Sequence, residues 1–125
     1  MAERKRRGDR GYSTLEVTVV LPVVLLMVMA LVQAALYLLA SDLAQTAANK
    51  GSLAGASWQS SPDVGVERAS TWAGTQRLLR GTSVSSEGSN ADSVRITVTG
   101  EALTLVPGWT LTIRETAEQP VEALP

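Results

Sequence analysis

The sequence predicts an α+β protein in which a long N-terminal transmembrane helix extends into a small exported head with a second helix and a small antiparallel β-sheet. Three observations carry this. Residues 17–40 are apolar without a single charge. Small residues recur at helical spacing just beyond them, at Ala44, Ala47, Ala48, Gly51 and Gly55. Near the C-terminus, Val94, Ile96 and Val98 alternate with Arg95, Thr97 and Thr99, the period of a half-buried strand.

The apolar segment comes first. Its 24 residues make a helix of about 36 Å, enough to cross a hydrocarbon layer of about 30 Å. Thr18 and Gln33 are its only clearly polar members, and Tyr12 and Tyr37 lie near its ends, where amphipathic rings favour the interface. Pro22 removes one helical hydrogen bond and predicts a kink that a membrane helix tolerates. The apolar core is too long for a cleaved secretory signal, although Ala40 and Ala44 precede passable cleavage positions.

Charge sets the orientation. The net charge of −1 and mean hydropathy of +0.10 conceal two unlike ends. Arg4, Lys5, Arg6, Arg7 and Arg10 outweigh Glu3 and Asp9 before Tyr12, whereas acidic residues predominate after the apolar segment. The positive-inside tendency places the N-terminus in the cytoplasm and the head outside a single-pass cell membrane.

A lone carboxylate, Glu16, stands at the start of the apolar run. Ionisable groups at such positions mark a function or a partner, or else reach back to solvated headgroups. Its context is Asp9-Arg10-Gly11-Tyr12-Ser13-Thr14-Leu15-Glu16-Val17-Thr18-Val19-Val20-Leu21-Pro22. The run from Gly11 to Glu16 resembles the processing site of type IV prepilins and pseudopilins. The fuller string, with Val20-Leu21-Pro22 and a Leu-rich continuation, resembles the TadE-like proteins, minor pseudopilins of tight-adherence pilus systems. The resemblance covers about the first 55 residues and, more loosely, Val94 to Ala117. It implies cleavage by a prepilin peptidase after Gly11, with Tyr12 as the first mature residue and Glu16 as the fifth. It also implies the membrane, the prepilin peptidase, the major pilin and other minor pilins as partners. Physically, cleavage creates an α-amino cation at the membrane edge, and a carboxylate four residues on, in the same or a neighbouring subunit, can pair with it where the dielectric is low. Glu16 would thus set the register of assembly.

The expected organisation is a basic cytoplasmic leader at 1–11, a transmembrane helix at 12–40, a helix extension at 41–58, an α+β head at 59–117 and a loose tail at 118–125. Small residues every four positions in the extension let another helix or a sheet approach closely. Ser61-Pro62 is a helix start, and apolar spacing through Leu78 or Leu79 predicts a second helix over 62–80, with Arg77 and Arg80 at its end and Gly81 as its stop. Residues 81–93 read as a loop with a short strand near 83–85. Leu103 and Leu105 lead to a Pro107-Gly108 turn, and Leu111 and Ile113 mark a further strand.

Composition argues against chemistry. The chain has no His and no Cys, which removes Ser-His and Cys-His nucleophile systems, thiolate metal sites and disulfides. Scattered carboxylates propose no metal or catalytic pair, and no phosphate-binding Gly loop occurs. Arg68, Arg77 and Arg80 lack interleaved aromatics and read as a solvated face, so no nucleic acid is expected. No enzyme activity, cofactor or small-molecule substrate is expected. The alternative to a pilus component is an uncleaved, membrane-anchored module whose head binds a surface ligand.

Overall fold

A computed structural model describes the backbone of residues 2–122 and the side chains of residues 14–122. In order, the elements are α1 (Ala2–Ala56), α2 (Pro62–Gly74), β1 (Leu79–Ser85), β2 (Ser93–Ala102) and β3 (Leu111–Pro120). The fold class agrees with the α+β expectation. The chain divides into two compact units, residues 1–32 and 33–125.

In the first unit, the described residues from Thr14 onward are exposed on every side of α1. Leu15, Val19, Leu21, Leu25 and Met27 are each about two-thirds exposed. A helix apolar all round with nothing packed on it has no stable place in water. Among the described residues this is the one helix long and apolar enough to span a bilayer. The Thr18 hydroxyl donates to the carbonyl of Thr14 at 2.7 Å, so this polar group is satisfied within the helix.

The second unit is an antiparallel sheet of order β1-β2-β3 with helices on one face. β2 is central. Val94, Ile96, Val98 and Ala102 are buried on its inner face, while Arg95 and Glu101 are exposed on the other. Ile113 and Ala117 of β3 and Leu79 of β1 complete the inner face. Opposite them lie Ala40, Ala44, Ala47, Ala48 and Ala56 of α1 with Ala69 and Ala73 of α2, all in one core cluster. The helices supply small residues and the sheet supplies the large ones. That division lets a head with few large apolar side chains close a core.

α2 begins where Ser61-Pro62 predicts, with Ser61 extended at the N-cap and Pro62 in the first turn. Its end differs from expectation. It stops at Gly74, not at 80, and Arg77 and Arg80 lie beyond it. Two features end it early: Gly74 has poor helix propensity, and the Thr75 hydroxyl bonds the Trp72 carbonyl at 2.6 Å. Leu79 then leaves the helical pattern to sit buried opposite Ala102 in the sheet. Gly81 is therefore no helix stop. It lies, with φ of +57°, at the bulge between Arg80 and Ser83 in β1. The stretch expected to be mostly loop over 81–93 is strand up to Ser85, with the turn confined to 86–92.

The C-terminus differs too. Residues 118–120, expected in a loose tail, are the last residues of β3. Glu118 pairs opposite Arg95, and Pro120 opposite Ser93. Beyond the strand the Val121 amide donates to the Asp92 carbonyl and the Glu122 amide to the Ala56 carbonyl, both at 2.8 Å. The second bond satisfies a carbonyl at the end of α1. α1 itself stops at Ala56, two residues before the expected Trp58.

Candidate processing and assembly site

Gly11 and Tyr12 lie within α1 by backbone, and their side chains are outside the described residues. Glu16 is described, and it is exposed. The surface on either side of it is apolar: Val17, Val20 and Leu21 line one flank, Leu15, Val19 and Val20 the other. Among the described residues, the single ion pair is the one between Arg95 and Glu118 of the head, so none of them pairs with Glu16. An exposed carboxylate in an apolar surround can meet a cation only from outside its own described surface. Pro22 sits six residues further along, and α1 continues past it. Having no N–H, it cannot bond the carbonyl four residues back, at Thr18.

The small residues of the extension are all buried in the head: Ala44, Ala47, Ala48, Gly51 and Gly55. The two glycines meet α2 and β2. A Cβ on Gly51 would stand 2.7 Å from the Gly65 carbonyl oxygen and 2.8 Å from the Ala69 Cβ. One on Gly55 would stand 3.0 Å from Val94 Cγ1. The extension is thereby the inner wall of its own head. Lys50 also reaches over the Trp72 ring of α2, 5.7 Å from its centroid.

The outer face of the sheet is polar. Thr97 and Thr116 hydroxyls bond each other at 3.0 Å, and Arg95 pairs with Glu118 at 3.2 Å. Bonds from the Ser93 hydroxyl and Arg95, with the Arg95 charge, hold the Glu118 carboxyl below its ordinary range. Arg68, Arg77 and Arg80 are exposed. Among the described residues no group of three Asp or Glu converges to hold a metal ion.

One polar residue of the apolar segment has a role that its position alone does not reveal. Gln33 is buried in the head unit and its amide bonds the β2–β3 loop twice. Nε2 donates to the Leu103 carbonyl at 2.9 Å, and Oε1 accepts from the Leu105 amide at 2.8 Å. The sequence signal was available: an amide side chain in an uncharged run needs partners.

One long apolar helix among the described residues, in a chain that continues into a small α+β head, fits a single-pass membrane protein. Residues 11–52 match the family of TadE-like proteins. Those 42 of its 125 residues are similar to that family, the same resemblance that the motif around Gly11 and Glu16 carries. No curated protein and no solved structure matches the chain.

Proposed function

We propose that the protein is a minor pilin or pseudopilin of a tight-adherence pilus, with a structural and not a catalytic role. It inserts with its N-terminus in the cytoplasm and its head outside. A prepilin peptidase cuts after Gly11, leaving Tyr12 first and Glu16 fifth. The apolar helix then joins the major pilin and other minor pilins. The observation that carries this reading is the coincidence, within one segment similar to TadE-like proteins, of the Gly11-to-Glu16 motif with an apolar helix exposed on all sides over 14–32, where Glu16 has no ion pair among the described residues.

Glu16 supplies the charge that a neighbouring subunit's new N-terminus would meet. In the low dielectric of packed helices such a pair is strong and short-ranged, so it selects one register over its neighbours. Replacing Glu16 with Ala is expected to leave membrane insertion intact, by carbonate extraction, and to lower recovery of the protein in sheared pilus or assembly-complex fractions at least tenfold. Normal recovery of the Glu16→Ala protein in those fractions would overturn the register role.

A further inference from the structure

We propose that the β2–β3 loop, residues 103–110, is a second membrane contact, seated in the headgroup region of the leaflet on the head's side. The proposal rests on α1 being a membrane-spanning helix.

Three observations in the head unit converge. First, the loop is tied to α1 at Gln33, which is 8% exposed. Gln33 lies nine residues before Asp42, the first charged residue after the apolar segment, or about 13 Å along the helix axis. Tyr37, Leu38 and Leu39, between these two, are exposed and apolar. The loop is thus held alongside apolar helix, below the first charge. Second, the loop is apolar where a hairpin connection is ordinarily polar. Leu105, Val106 and Trp109 are 41%, 47% and 49% exposed. No charged residue occurs between Glu101 and Arg114. Third, part of its backbone is satisfied without water. Val106-Pro107-Gly108-Trp109 forms a turn closed by a bond from the Trp109 amide to the Val106 carbonyl at 3.3 Å, with Gly108 at φ +81°. The Thr104 hydroxyl bonds the Val106 carbonyl at 3.2 Å, and Gln33 satisfies two further groups.

Non-helical backbone is not tolerated bare in hydrocarbon, which places the loop at the interface and not deeper. Trp suits that layer, with an apolar ring and one N–H donor. Lipid is favoured as the occupant because the loop is bonded to the helix at Gln33, within a stretch that carries no charge before Asp42 and whose Leu38 and Leu39 are exposed. The contact would fix the head's height above the bilayer.

The test uses the full chain in phosphatidylcholine vesicles. Trp58→Phe with Trp72→Phe leaves Trp109 as the reporter, and Trp72→Phe with Trp109→Phe leaves Trp58, which lies beyond the end of α1. Shallow-brominated lipid should quench Trp109 at least threefold more than Trp58, and aqueous iodide should show the reverse order. Since the chain has no cysteine, Val106→Cys carrying an environment-sensitive dye repeats the reading with all three tryptophans in place. Iodide access at both reporters without bromolipid quenching, in protein that co-floats with vesicles, overturns the proposal and leaves the membrane helix standing. Failure to co-float overturns the membrane helix and the proposal with it. Shielding from both quenchers that disappears on dilution into excess lipid means a second copy covers the loop, and overturns the lipid contact.

Discussion

Gly65 of α2 and Gly51 of α1 meet backbone to backbone. A Cβ added at Gly65 would stand 2.5 Å from the Gly51 carbonyl oxygen, and that oxygen belongs to a helix that cannot rotate away. Gly74, at the exposed end of the same α2, has nothing within 4 Å of such a Cβ. Helix propensity favours Ala over Gly by roughly 1 kcal/mol at either position, but overpacking at Gly65 costs about 1–3 kcal/mol and wins. The two Gly→Ala variants should therefore differ in sign: Gly65→Ala lowers the stability of the head and Gly74→Ala leaves it equal or slightly higher. Urea unfolding of the micelle-bound full chain, followed by near-UV circular dichroism, reads both. Equal effects would mean the helices are not in contact at this point. The stripe containing Gly51 was readable from its spacing by four. Its partner Gly65 was not, since one glycine in a short helix has no periodicity to betray a close approach.

At the scale of elements, strong local signals located β2 and the start of α2. Alternation over Val94 to Thr99 and the Ser61-Pro62 step each reflect local chemistry. The α2–β1 boundary was misread because Leu78 and Leu79 continue a helical apolar spacing that a strand uses as well. Only the burial of Leu79 against the sheet decides it, and that is a tertiary effect. The end of β3 was hidden in the same way: Glu118 to Pro120 looks like tail until Arg95 and Ser93 are placed opposite. This pairing has a pH signature. Glu118 is acidified in the folded head by the Ser93 hydroxyl and by Arg95. A depressed folded value stabilises the fold above the ordinary carboxylate value near 4.5 and loses that contribution as pH falls through the folded value. The thermal midpoint of the parent should therefore exceed that of Glu118→Gln at neutral pH, by a small margin because the pair is half-exposed, and the gap should close in acid. A gap constant from pH 7 to pH 2 would contradict this account.

For the whole molecule, sequence and structure agree on a membrane-length helix that runs into a small α+β head. The helix was legible because its signal is composition, which needs no partner. The head's core was only half legible: its large residues lie on the sheet and its small ones on the helices, so neither set shows the packing by itself. The loop at Gln33 was legible only as an oddity, a polar residue in an apolar run, because its partners lie 70 and 72 residues away. The motif around Glu16 carries the functional reading, and it makes the central claim a statement about one peptide bond. Intact-mass and N-terminal analysis of the protein purified from the membranes of its own cells, containing their prepilin peptidase, tests this most directly. The account predicts a chain that begins at Tyr12. A chain that begins at Met1 or Ala2 under those conditions would contradict it.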